Sequence, residues 1–96
     1  MVVRVELIGV IRDLVKDRSF DLCFVDRKSI SYGDVLEELV KHYGPRFRDR
    51  LYGPGGLLSI VKVYSEGNLI KNLDQILPPG DEADVRVIVF AAAGGG

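Results

Sequence analysis

Ninety-six residues are enough for one compact domain with a modest core, and too few for a second without disulfides or metals. With 47% hydrophobic and 28% charged residues, and 13 basic against 14 acidic side chains for a net charge of -1, the composition is that of an ordinary globular protein. That balance supplies no general attraction to phosphate backbones or anionic lipid, so neither a nucleic-acid nor a membrane partner is expected. The apolar runs are far shorter than a bilayer span, and charges interrupt MVVRVELIGV where a signal peptide would be uniformly apolar. The single cysteine, Cys23, has no internal disulfide partner, and a cytoplasmic protein is predicted.

VVRVELI alternates, with Val3, Val5 and Leu7 on one face and Arg4 and Glu6 on the other, the period of a half-buried strand. FDLCFV repeats the pattern, with Phe20, Leu22 and Phe24 inward and Asp21 and Cys23 outward, which predicts an antiparallel pair joined by a longer loop. Ser31 followed three residues later by Asp34 is a capping-box variant. Behind it Val35, Leu36, Leu39, Val40 and Tyr43 recur at helical spacing, Glu37, Glu38 and Lys41 face solvent, and Gly44 and Pro45 supply the stop.

RFRDRLYGPGG is read as loop containing at most a turn of helix, because Pro54, Gly55 and Gly56 oppose a regular element. LLSIVKVYSEG resumes strand alternation, Val61 and Val63 against Ile60, Lys62 and Tyr64, and Glu66-Gly67-Asn68 reads as a turn. LDQIL is read as a short helical turn and PPGD as a second turn. The last strand, VRVIVF, sets Val85, Val87 and Val89 against Arg86, Ile88 and Phe90.

This order is an α+β pattern, with one main helix packed on one face of a mixed sheet of four to five strands: the layout of a β-grasp, ubiquitin-like domain. The domain is assigned to residues 1–90, and residues 91–96, AAAGGG, to a flexible glycine-rich tail. Extended, six residues reach roughly 20 Å at about 3.3 Å each. A channel narrow enough to exclude water admits glycine backbone more readily than side chains, so such a tail suits insertion into another protein. A frayed terminus or a cloning remnant is the plainer alternative for Gly94 to Gly96.

Across nearly its whole length the chain resembles the MoaD/ThiS family of ubiquitin-like sulfur carriers. The resemblance rests on SYGDVLEELVKHYG, similar to the family's capped helix, on PPGDE before the last strand, and on Phe90 followed by the closing Gly95 and Gly96. The long segment between helix and third strand is more like the MoaD branch. Two features depart from the pattern: Ala91 and Ala92 stand where the family has prolines, and the interval from the GDE turn to Phe90 is longer. Either the last strand is extended or the alignment slips around Ala83 and Asp84.

The resemblance implies that a ubiquitin-activating-type adenylating enzyme converts the Gly96 carboxylate to an acyl-adenylate, and that a persulfide donor leaves a thiocarboxylate there. Gly94 and Gly95 would thread the partner's channel. It further implies a non-catalytic subunit that binds no cofactor, with ATP used by the activating partner, and whose sulfur passes to a pterin in the large subunit of molybdopterin synthase. Carriers for thiamine or tRNA thiolation, protein modifiers, and an interaction module whose tail is never activated are the alternatives.

The face opposite the helix would carry Ile60, Lys62, Tyr64, Arg86, Ile88 and Phe90, an apolar patch with a basic rim suited to partner binding. The alternative is that residues 46–58 fold over it, or that the strand parity is off by one residue. His42 and Cys23 are each the sole residue of their kind, so no metal site and no Cys-His nucleophile is expected. YGPGGLLS lacks the Lys-Ser/Thr of a phosphate loop. Lys41, Arg46, Arg48 and Arg50 are read as a solvated surface or a rim for an acidic partner rather than a grip on single-stranded nucleic acid. Cys23 is read as an inert, half-buried thiol.

Overall fold

The computed structural model describes residues 1–11, 19–24 and 29–90. Strands β1 (Val2–Gly9) and β2 (Ser19–Cys23) form the expected antiparallel pair, in register from Val2 opposite Cys23 to Glu6 opposite Ser19. Helix α1 (Tyr32–Tyr43) follows, then α2 (Pro45–Leu51) and a small ribbon of β3 (Tyr52–Gly53) and β4 (Gly56–Leu57). Strands β5 (Val61–Ser65), β6 (Asn68–Leu69) and β7 (Glu82–Val89) come after them.

The main sheet has five strands in the order β2-β1-β7-β5-β6. The last strand, β7, is therefore central, parallel to β1 and antiparallel to β5. Its pairing with β1 runs without interruption from Val2 opposite Glu82 to Gly9 opposite Val89. The long interval before Phe90 is thus an extended strand, with no slip at Ala83 or Asp84.

The expected alternation decides the core. Val3, Val5, Leu7, Val61, Val63, Val85, Val87 and Val89 are buried together with Val35, Leu36 and Leu39 of α1, so one sheet face meets one helix face. Tyr32, in the first turn of α1, is buried as well.

Both bonds of the capping box form: the Asp34 N–H donates to Ser31 Oγ at 3.1 Å and the Ser31 N–H donates to Asp34 Oδ2 at 3.0 Å. Two further first-turn amides, which no helix can satisfy internally, are met by the loop that precedes β7. Tyr32 N–H donates to the Gln75 carbonyl at 3.1 Å and Gly33 N–H to the Leu73 carbonyl at 2.9 Å. LDQIL is used this way instead of coiling: a single turn closed by Gln75 N–H on the Asn72 carbonyl leads into a bridge between Ile76 and Ser31.

Gly44-Pro45 joins two helices where a helix stop into loop was expected. Gly44, at φ 95°, closes α1 by donating to the Val40 carbonyl at 2.7 Å, and Pro45 opens α2 at the position where its missing N–H costs nothing. Phe47 and Leu51, four residues apart, are both fully buried, and Phe47 stacks on Tyr43 with ring centroids 5.0 Å apart. Tertiary burial, more than propensity, holds this short helix. Pro54 and Gly55 form the turn of the β3–β4 ribbon, and Gly56 belongs to its second strand.

The expected turn between β5 and β6 has Glu66 and Gly67 at its centre, at φ 53° and 81°, the left-handed pair that a two-residue hairpin of native twist requires.

Candidate partner face and chain exit

The face of the sheet away from α1 is built from cross-strand rows. Lys62 lies opposite Ile88, which lies opposite Ile8; Tyr64 lies opposite Arg86, which lies opposite Glu6; and Asp84 lies opposite Arg4, which lies opposite Asp21. Strand parity thus puts Lys62, Tyr64, Arg86 and Ile88 on one surface, with Phe90 continuing the row beyond β7 at 49% exposure. Ile60 differs: it sits in the turn before β5, half-buried against the core, and contributes its carbonyl, which accepts the Phe90 N–H at 2.9 Å. Residues 45–51 pack on α1 and β3.

The rim is mixed in charge. The Arg4 guanidinium donates to Asp21 Oδ1 at 3.3 Å, and Arg86 Nε lies 3.7 Å from Glu6 Oε1, so both arginines have acidic partners on the sheet. A shallow trough of about 620 Å³ runs between these rows, lined by Arg4, Glu6, Tyr64, Glu66, Asp84 and Arg86. A second hollow of about 300 Å³ continues it past Glu82 and shares Arg4, Glu66 and Asp84. Glu66, Glu82 and Asp84 were not singled out by sequence reasoning. Asp84 and Glu82 were legible from the parity of β7, but the approach of Glu66 needs the hairpin to be folded.

The chain leaves this sheet abruptly. Val89 is fully buried and Phe90 is half exposed. Gly94, Gly95 and Gly96, with the three alanines before them, lie outside the described residues.

Away from this face, Cys23 is the last residue of β2 and is exposed, where a half-buried thiol was expected: at the strand's outward parity on an edge strand nothing covers it. The exposed His42 ring lies tilted against Phe20, with centroids 4.2 Å apart, and meets Tyr43 edge-on at 4.7 Å. In the basic segment Lys41 pairs with Glu38 at 3.2 Å, while Arg46 and Arg48 are exposed and Arg50 is half-buried. The Arg48 guanidinium lies 5.8 Å from the centre of the Tyr52 ring. Burial pushes the Tyr52 phenol up from its usual range, Glu37 adds to the effect and Arg48 opposes it. Among the described residues no three His, Cys, Asp or Glu side chains group to hold a metal, and no helix is long and apolar enough to cross a membrane.

One helix across a five-stranded mixed sheet, with the last strand central and parallel to the first, defines the ubiquitin-like β-grasp fold. Solved structures of small archaeal modifier protein 1 share it. The crystal structure of SAMP1 from Haloferax volcanii superposes with a TM-score of 0.79 at 19% identity, covering 99% of this chain and 100% of that one. A second crystal structure of the H. volcanii protein gives 0.78 at 16% identity, covering 94% and 98%. The solution structure of SAMP1 from Methanosarcina acetivorans gives 0.74 at 18% identity, covering 97% and 96%. At these identities the likeness establishes the fold. No protein-family model and no curated protein sequence matches the chain.

Proposed function

We propose that this protein is a ubiquitin-like sulfur carrier whose Gly96 carboxylate is the reactive group. The observation that carries the reading is the chain exit. A β-grasp body over residues 1–90 hands its central strand to AAAGGG through a single residue, Phe90, which is tied by its N–H to the Ile60 carbonyl. A rigid body with a small-residue extension suits delivery of a carboxylate into an enclosed site on a partner.

A carboxylate is a poor electrophile, and the partner's ATP makes it a good one: the Gly96 oxygen attacks the α-phosphate, pyrophosphate leaves, and an acyl-adenylate forms. The terminal sulfur of a persulfide then displaces AMP, and cleavage of the acyl disulfide by a thiol leaves a thiocarboxylate. In this reading all catalysis and the ATP belong to the partner. Lys62, Tyr64, Arg86, Ile88 and Phe90 hold the body against that partner, with Ile60 bracing the exit, while Gly94 and Gly95 occupy its channel. The recipient we favour is the large subunit of molybdopterin synthase, on the strength of the long, MoaD-like segment between α1 and β5. A second reading, a modifier joined through Gly96 to lysines of other proteins, is favoured by the modifier name of the structures with this fold.

Intact-mass measurement of the protein isolated from its source separates the readings. Replacement of one carboxylate oxygen of Gly96 by sulfur supports the carrier, and covalent adducts through Gly96 support the modifier. A Gly96 left unchanged by ATP and the adenylating enzyme of the same organism rejects both.

A further inference from the structure

β2 is an edge strand, and its pairing with β1 fixes which of its backbone groups are free. Phe24 N–H donates to the Met1 carbonyl at 2.9 Å, and the Met1 amino group donates to the Phe24 carbonyl at 3.1 Å. Antiparallel pairing alternates, so Leu22 opposite Val3 and Phe20 opposite Val5 also turn their backbone bonds toward β1. Val2 N–H agrees with this phase, since it donates across the other flank of β1 to the Asp81 carbonyl at 2.8 Å. Ser19, Asp21 and Cys23 therefore turn their backbone bonds outward, and among the described residues no strand meets them.

Soluble proteins blunt such an edge with a lysine, a proline, a bulge or a very short strand. The opposite edge follows that rule, because β6 is only 2 residues long. β2 does not: SFDLC has neither lysine nor proline, and its pairing with β1 runs unbroken over all 5 residues. Its one charged side chain, Asp21, is already bonded to Arg4 at 3.3 Å. On the helix side the half-buried Phe20 is backed by the exposed His42, with ring centroids 4.2 Å apart.

We propose that β2 pairs with β2 of a second copy of this chain, antiparallel about a two-fold axis at Leu22. A strand added here must carry apolar side chains toward α1 and polar ones away, with its free backbone groups opposed to those of Ser19, Asp21 and Cys23; β2 itself meets both conditions. An axis at Asp21 would set that carboxylate against its own copy, and like charges directly opposite are destabilising. An axis at Phe20 would leave Leu22 and Phe24 with no residue of β2 opposite them. The axis at Leu22 sets Leu22 against its own copy and Phe20 against the second copy's Phe24, and it lets Asp21 exchange both backbone bonds with the second copy's Cys23. Because β6 is too short to pair in the same way, association closes at two copies instead of growing. Residues of equal parity face each other, so both outward faces stay open on one side of the joined sheet, and the two chain exits point in opposite directions. This contact lies outside the carrier reading and stands or falls without it.

Sedimentation equilibrium of the full chain, with a thiol reductant present, is run from about 10 µM to about 1 mM. Wild type is expected to pass from monomer to dimer across that range, as a small interface would. Cys23→Pro removes an outward N–H and leaves every bond to β1 in place, so it is expected to weaken the dimer about tenfold with an unchanged melting temperature. Cys23→Ala keeps the N–H and is expected to keep the dimer. A nitroxide on Cys23, the only cysteine, reports the register: the labelled backbones lie about 9 Å apart with the axis at Leu22 and about 15 Å apart with it at Asp21. Strong dipolar broadening that unlabelled chain dilutes away supports the contact, and it decides alone if Cys23→Pro also lowers the melting temperature. Wild type that stays monomeric up to about 1 mM overturns the pairing and leaves the edge to a strand of another protein. A dimer indifferent to Cys23→Pro, or labels without broadening, places the contact elsewhere and overturns it too.

Discussion

Gly9 and Val89 close the eight-residue parallel pairing of β1 with β7 with no space between their backbones: a β-carbon on Gly9 would overlap the Val89 carbonyl oxygen. Gly9 is also at φ 93°, where L side chains are strained. Gly9→Ala is expected to lower stability by about 3 kcal/mol in urea denaturation, since backbone must move as well as twist. A loss below about 1 kcal/mol would mean that β1 can swing clear of the chain exit.

Phe47→Ala should cost about 3–5 kcal/mol, because the side chain is fully buried and stacked on Tyr43. Hydrogen exchange should show protection lost first in residues 45–51, while β7 keeps its own. Equal loss in both segments would make α2 part of the same cooperative unit as the sheet.

Ser31→Ala removes the acceptor for the Asp34 N–H and is expected to destabilise by about 1 kcal/mol. Combined with Asp34→Ala, whose carboxylate caps the Ser31 N–H, the loss should be less than the sum, as both substitutions break one reciprocal pair. Strict additivity in denaturant midpoints would argue that the two bonds act separately.

Tyr52 bears on alkaline stability. Its phenol is raised in the fold, chiefly by burial and then by Glu37, so the folded state holds the proton more tightly than the unfolded chain. The associated stabilisation is complete below the unfolded tyrosine value of about 10 and is lost as pH rises through the folded one. Tyr52→Phe should therefore flatten the decline in melting temperature above pH of about 10. An unchanged alkaline slope would place the titration elsewhere.

For the tail, a bulky residue appended after Gly96 should abolish activation by the adenylating enzyme and leave the melting temperature where it was. A lower melting temperature would mean that the tail supports the domain, contrary to the role proposed for it.

The sheet and α1 were legible because their signals are local: parity in VVRVELI and VRVIVF, helical spacing behind Ser31, and the glycine at the hairpin turn. What was missed depends on distant partners. Phe47 and Leu51 offer one four-residue repeat in a basic, proline-led segment, and only the surface beside Tyr43 makes that a helix. LDQIL has the look of a helical turn, yet its carbonyls are taken by Tyr32 and Gly33. At the candidate partner face, Lys62, Tyr64, Arg86 and Ile88 followed from parity. The approach of Glu66 to Glu82 did not, because it joins a hairpin turn to a strand sixteen residues later.

Placing the last strand in the middle of the sheet also decides how the molecule answers a pull. Tension applied beyond Phe90 enters β7, which is bonded to β1 on one side and to β5 on the other, with both ladders lying across the line of force. Under a pull along the strand the bonds on both flanks must shear together, where a strand at the border would be held on one flank alone. A body anchored in this way can be towed by its end and arrive folded.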